Sequence, residues 1–287
     1  MAFIRTKRIG KYRYKYLVET TYKNGKPQQK VLKYIGKEDL TKIKPNLTKE
    51  DIKILNNIKD NFLKEKKKVP RLVFDKNLNN FLVKYTYNTN AIEGSTLTLR
   101  ETALILKDKI TPKGKSLVEI KEAENHAKAF EFMYGYKKDL DKGFLLKLHE
   151  MLMGGINEEF AGKIRSFNVS ISGTLFRPPE FEALSYELNN FFRWYEKTKD
   201  RLHPFESAAL VHLRLVTIHP FGDGNGRMSR LLMNFVLKKK EFPMLDIPYA
   251  DREDYYDSLE NCQINKIERP FVDYLKKEYI KEYNNYL

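Results

Sequence analysis

Residues 219–230 read His-Pro-Phe-Gly-Asp-Gly-Asn-Gly-Arg-Met-Ser-Arg, which puts a base, a carboxylate, a glycine turn and two arginines in one short run. His219 is a side chain that can take a proton near neutral pH. The Asp223 carboxylate is an oxygen ligand of the kind magnesium takes. Gly224 and Gly226 permit a tight backbone nest whose N–H groups converge on an anion. Between them, Asn225 is expected to hold the nest and to reach the α-phosphate of a ligand. Met228, Leu231, Leu232, Phe235 and Val236 follow at helical spacing, so the nest opens a helix N-terminus, where phosphate binds well. Arg227 and Arg230 lie three apart on one helix face and can grip one ligand. A nucleotide polyphosphate is the ligand this set fits.

Helices must position that run, because the chain from Leu72 onward is patterned almost wholly for them. Helices are expected near 81–92, 98–108, 117–134, 143–153, 181–197, 204–218, 252–261 and 270–286. Gly94 is the stop of the first of these. Residues 163–179 break the trend. Phe167, Val169, Ile171 and Leu175 around Ser172-Gly173-Thr174 predict a short hairpin, ended by Arg177-Pro178-Pro179. Ahead of the helices, Tyr12, Tyr14, Tyr16 and Val18 alternate with polar residues, Asn24-Gly25 supplies a turn, and Val31, Leu32, Tyr34 and Ile35 return. Residues 11–35 therefore read as a hairpin. Thr48 with Asp51 three residues on is close to a capping box and opens a further helix.

The chain has 287 residues, 41% of them apolar, enough for one large domain and a small one. The reading is of a mainly α protein. It has a basic β-hairpin module over 1–45, a linker helix over 46–70 and a helical catalytic domain over 71–287. Net charge is +15 and unevenly placed. Residues 1–70 hold 20 Lys and Arg against 7 Asp and Glu; the rest hold 33 against 31. The basic segment points to a nucleic acid or an acidic partner, and a solvated lysine face is the alternative. No run is long and apolar enough for a membrane span, and the first residues lack the apolar core of a signal peptide. Cys262 is the single cysteine, so a reducing cytoplasm is expected and no intrachain disulfide. One Cys and five scattered His give no zinc spacing.

The run at 219–230 resembles the signature of the Fic family, His-x-Phe-x-Asp/Glu-Gly-Asn-Gly-Arg-x-x-Arg, with every fixed position filled. The likeness extends over roughly residues 71–280. It implies transfer of AMP from ATP, with Mg²⁺, to a Ser, Thr or Tyr hydroxyl of a target protein, the chain itself included. Doc-like phosphotransferases carry Lys where this chain has Gly226, which argues against their activity. Thr89-Asn90-Ala91-Ile92-Glu93-Gly94 matches the family's inhibitory pattern, Ser/Thr-x-x-x-Glu-Gly/Asn. Its position ahead of the core implies an inhibitory helix at about 80–94 in the same polypeptide. There Glu93 would salt-bridge Arg230, the residue that otherwise holds the γ-phosphate.

By the same resemblance His219 is the base, Asp223 the metal ligand, and Gly224, Asn225, Gly226 and Arg227 the phosphate cradle. Ile171, Ser172, Gly173, Thr174 and Leu175 correspond to a flap that positions the target strand. Tyr255 and Tyr256 correspond to positions near the adenine, and a further adenine contact falls on Asn261, Gln263 or Asn265. Some relatives also remove AMP with the inhibitory glutamate. A Glu93-dependent hydrolase is therefore the alternative activity, and a nucleic-acid-binding protein the non-enzymatic one. The family class also implies a homodimer. The first 45 residues lie outside the resemblance and look faintly like small β modules of DNA-processing proteins.

Other strings resemble chemistry without carrying it. His203-Pro204-Phe205 repeats the start of the signature but lacks its acid, glycines and arginines; Pro204 is expected to open a helix. His126, His149 and His212 lie inside helices and read as core residues. Lys113-Gly114-Lys115-Ser116 ends like a phosphate loop but has Lys109 where the first glycine belongs.

Overall fold

The structure, a computed structural model, describes residues 2–10, 12–23, 26–39 and 45–287. The chain forms two compact units, Met1–Pro45 and Asn46–Leu287.

The first unit is an antiparallel sheet of three strands in the order β1 (Ala2–Ile9), β2 (Tyr12–Lys23) and β3 (Lys26–Asp39). The expected hairpin over 11–35 is therefore two strands of a larger sheet. β1 was hidden because Arg5, Lys7 and Arg8 break its apolar alternation. The Asn24-Gly25 turn lies outside the described residues. Register shifts fall between Lys15 and Tyr16 and between Leu17 and Val18. Such bulges bend a strand and increase its twist. Val18 on the central strand is buried.

The second unit is built of helices: α1 (Lys49–Lys68), α2 (Arg71–Ile92), α3 (Leu99–Ala103), α4 (Leu117–Gly135) and α5 (Lys142–Met153). Then follow α6 (Leu184–Thr198), α7 (Pro204–Ile218), α8 (Asn225–Lys239), α9 (Arg252–Asn265) and α10 (Arg269–Glu282). Reciprocal capping boxes open α1 (Thr48, Asp51), α3 (Thr98, Glu101) and α4 (Ser116, Glu119). Each satisfies donors that a helix start otherwise leaves unpaired.

α7 and α8 pack against each other as the central pair. Leu210, Val211 and Leu215 of α7 and Leu231, Leu232 and Phe235 of α8 are buried on the shared core. The loop between these helices is the 219–224 run, so the core holds both of its ends. α2 packs on α4 and α8. Its last turns bury polar as well as apolar residues: Thr86, Asn88, Thr89 and Asn90 beside Tyr85, Ala91 and Ile92. Buried polar groups need partners, and those of Thr89 lie in the site described below. Gly94, at φ 102°, ends the segment in a conformation other residues resist. α3 runs into a π-helical turn, Leu104–Asp108.

The hairpin expected within 163–179 does not form. The segment is irregular with isolated turns, and no strand pairs there. Its alternating residues do not line up across a ladder; other contacts fix its shape.

Candidate active site

α7 stops because His219 takes a left-handed conformation, φ 51° and ψ 57°, as its C-cap. Its N–H still donates to Leu215 O at 2.9 Å. The ring Nδ1 lies 3.2 Å from Val216 O. A carbonyl only accepts, so Nδ1 carries the proton and Nε2 is left with the free lone pair. Burial pulls the His219 pKa below 6.5, against the opposing Val216 bond, and Arg165 adds to the fall. The imidazole is therefore neutral, as a base must be.

The loop after His219 is locked from beneath. Phe221 is fully buried and lies flat on the His149 ring, centroids 3.7 Å apart. His149 Nδ1 accepts from Gly162 N at 3.0 Å, and its Nε2 lies 3.0 Å from Asp223 O. Asn225 accepts from Phe221 N at 3.0 Å and donates to Phe221 O at 2.9 Å. Its side chain thus clamps the loop and holds the turn, as expected.

Gly224, at φ 75°, is the N-cap of α8, with no side chain capping the helix. Gly226 serves by its missing side chain: a Cβ there would clash with Glu93 Oε1. A carboxylate therefore rests against the start of α8, where helix geometry favours an anion.

Glu93 reaches that point from the end of α2. Arg230 Nη2 donates to Glu93 Oε1 at 2.6 Å and to Thr89 O at 3.0 Å. Its Nε donates to Thr89 Oγ1 at 2.6 Å, and Nη1 to Tyr255 Oη at 3.2 Å. Arg230 is 1% exposed. Burial alone would weaken its charge; Tyr255 and Glu93 outweigh this and hold the pKa above the usual guanidinium value. His212 Nε2 lies 3.0 Å from the Tyr255 hydroxyl and extends the network.

Arg227 leaves the same helix for other partners. Nη1 donates to Glu122 Oε1 of α4 at 2.8 Å, and Nη2 lies 3.5 Å from Asp223 Oδ2. Its buried Nε has no protein partner. The two arginines are thus fixed by different elements. Asp223 keeps more than half of its side chain exposed and points one oxygen back to Gly224 N. Among the described residues no three His, Cys, Asp or Glu side chains gather at a metal site. One open carboxylate beside a phosphate cradle still fits Mg²⁺, which binds through one or two carboxylates plus phosphates and water.

The predicted adenine residues divide. Tyr255 is buried on Arg230, whereas Tyr256 is exposed and donates to Ile92 O at 2.9 Å. Asn261 and Asn265 line an open groove of about 650 Å³ between α9 and Gly173, Thr174 and Leu175. Gln263 lies elsewhere, 3.3 Å from Thr217 Oγ1. Glu260 pins the flap tip, accepting from Thr174 Oγ1 and Leu175 N, both at 2.7 Å. Ile171 is half-buried, and Ser172 and Gly173 are exposed.

Sequence reasoning missed Arg165, Glu122 and Glu260 and took His149 and His212 only as core residues. Arg165 is buried; its Nε donates to His219 O at 2.9 Å, Nη1 to Phe167 O at 2.7 Å and Nη2 to Pro179 O at 2.6 Å. It ties the flap to the signature loop. Nothing in its local sequence signals this, because its partners lie up to 54 residues away.

This fold and loop are those of a Fic domain. Residues 139–237 match the sequence model of the Fic/DOC family, and the chain belongs to that family. It is 36% identical over 198 residues to a Nematostella vectensis protein named protein adenylyltransferase Fic, covering 67% of this chain and 46% of that one. It is 34% identical over 199 residues to Caenorhabditis elegans protein adenylyltransferase fic-1, covering 67% and 39%. The chain thus spans less than half the length of these relatives. Among solved structures, C. elegans Fic-1 (residues 134–508) is similar at 29% identity and a TM-score of 0.73, covering 83% of this chain and 72% of that one. A Fic-domain-containing signaling protein from Bacteroides thetaiotaomicron is similar at 29% identity and a TM-score of 0.72, covering 80% and 95%.

Proposed function

We propose that the chain is a protein adenylyltransferase that moves AMP from ATP to a hydroxyl side chain of a target protein, and that Glu93 restrains it. The Glu93–Arg230 ion pair at the start of α8 carries this reading. A carboxylate there competes with a phosphate for the same arginine and the same helix end.

His219 Nε2 takes the proton of the target hydroxyl, whose oxygen then attacks the α-phosphorus. The bond from that phosphorus to the bridging oxygen breaks, and pyrophosphate leaves. Negative charge grows on the bridging oxygen and β-phosphate. Arg227 and the first N–H groups of α8, through Gly226, stabilise it without having to reorganise. Asp223 would hold Mg²⁺, which supplies further charge neutralisation when bound. Arg230, once free of Glu93, anchors the γ-phosphate. Tyr256 is the adenine contact of the tyrosine pair. The flap tip at Thr174 and Leu175 orients the target strand.

Glu93→Gly is expected to raise incorporation of α-labelled AMP at least tenfold over the wild type, and His219→Ala to abolish it in that background. Equal labelling of wild type and Glu93→Gly would sink the restraint. A second reading is removal of AMP by water. It is favoured by the Glu93 side chain keeping about a third of its surface open, enough to hold a water for attack. It predicts that Glu93→Gly loses release of AMP from a modified protein.

A further inference from the structure

We propose that the sheet of the N-terminal unit binds nucleic acid. Arg5 and Lys7 grip the phosphodiester backbone, and tyrosine rings meet the bases. This function is independent of the AMP transfer above.

The strand register sorts the residues. Arg5 lies opposite Tyr16, Lys7 opposite Tyr14 and Ile9 opposite Tyr12, and on the other side Tyr16 lies opposite Tyr34. Residues directly opposite in a ladder share a face. One face therefore carries two exposed cations among four tyrosines. The rings touch: Tyr12–Tyr14 at 6.4 Å, Tyr14–Tyr34 at 6.5 Å and Tyr16–Tyr34 at 5.5 Å between centroids. Arg5 Nη1 donates to Gln29 Oε1 at 2.9 Å. That bond joins β1 to β3 and holds the guanidinium across the same face. Lys30 and Lys33 of β3 lie opposite Glu19 and Leu17 and are exposed on the other face.

Charge chooses the occupant. Residues 2–39 hold 11 Lys and Arg against 3 Asp and Glu, within a chain whose part beyond residue 70 is nearly balanced. A polyanion is the complement of such a surface. Cations alone would suit an acidic protein equally well. The rings favour nucleic acid: Tyr34 is 50% exposed beside half-buried Tyr12, Tyr14 and Tyr16, with Tyr22 and Val31 also open. Aromatic rings interleaved with cations form a stacking platform beside a phosphate track, the arrangement that binds nucleic-acid strands.

The test is fluorescence anisotropy on the full chain with a labelled mixed-sequence single-stranded DNA and its duplex, titrated with salt. At least one should bind at low salt, with affinity falling at least tenfold by physiological salt. Arg5→Ala with Lys7→Ala should weaken binding roughly tenfold and flatten the salt slope. Tyr34→Ala should weaken it several-fold at an unchanged slope, because stacking releases no counterions. Absence of binding to both DNAs overturns the proposal. So does displacement by poly-glutamate as readily as by unlabelled DNA, with Tyr34→Ala at wild-type affinity; the face would then be one for acidic proteins. If circular dichroism reveals a lost sheet in the alanine variants, Arg5→Gln with Lys7→Gln reads the same salt slope.

Discussion

In the proposed reaction His219 is the base, and its surroundings fix a pH signature. Burial lowers its pKa from 6.5, so the neutral base persists into mildly acid solution. In Glu93→Gly, AMP incorporation should fall along a single acid limb whose midpoint lies below 6.5. A midpoint above 6.5 would mean that another group is titrating or that the ring gains a charged partner in the complex. His219, Asp223, Gly224, Gly226, Arg227 and Arg230 were legible because they sit in one run whose spacing is itself the signal. Thr89 and Glu93 were legible only beside that run, yet they meet Arg230 across 141 and 137 residues. The supporting residues were not. Glu122 is one of many helix-surface acids in the sequence and becomes a partner of Arg227 only when α4 is laid against α8. The way Asn225 holds the loop was hidden for a related reason. An amide can serve a ligand or a backbone, and only the turn geometry reveals that Phe221 takes both of its ends.

At the scale of elements, two buried side chains tie segments to one another around the site: Arg165 holds residues 167–179 to the signature loop, and Asp246 holds α2. Arg165 holds three backbone carbonyls from a buried position. Arg165→Ala is expected to cost about 2–4 kcal/mol in urea unfolding, since buried acceptors lose a charged donor. In Glu93→Gly it should raise KM for the target more than it lowers kcat. Helix positions were readable because capping boxes and apolar spacing are local. The flap was not, because side-chain ties to Arg165 and Glu260 replace strand pairing. Asp246 lies buried against α2, accepting from Asn88 Nδ2 at 2.6 Å, with its second oxygen unpartnered. Burial pushes its pKa up from 3.8 to about 7, despite the opposing Asn88 bond and Lys84. The folded state thus binds this proton more tightly than the unfolded chain. Stability from this group is present below pH 3.8 and is lost as pH rises toward about 7. Asp246→Asn should remove that loss, so its urea midpoint should gain on the wild type between pH 5 and 8. An unchanged difference across that range would mean that Asp246 is ionised throughout.

For the whole molecule, buried histidines oppose Asp246 and outnumber it. Burial lowers the pKa of His149 to about 4, of His203 to about 4 and of His126 to about 3, and drives His212 well below 6.5. Each is neutral in the fold, whereas in the unfolded chain it takes a proton near 6.5. Their stability contribution is full above 6.5 and falls as pH drops toward their folded values. Between pH 6.5 and 4, unfolding takes up protons at these four sites and at His219, and releases one at Asp246. The net sign is uptake, so acid destabilises the chain. The net charge of +15 acts in the same direction, because protonating carboxylates removes the anions that offset it. The urea midpoint should therefore fall steadily from pH 6.5 to 4.5. His149→Gln with His203→Gln should be less stable at pH 7, because the ring stack on Phe221 is lost, yet should decline less steeply toward acid. A parallel decline in wild type and variant would assign the acid sensitivity to the carboxylates and not to the histidines.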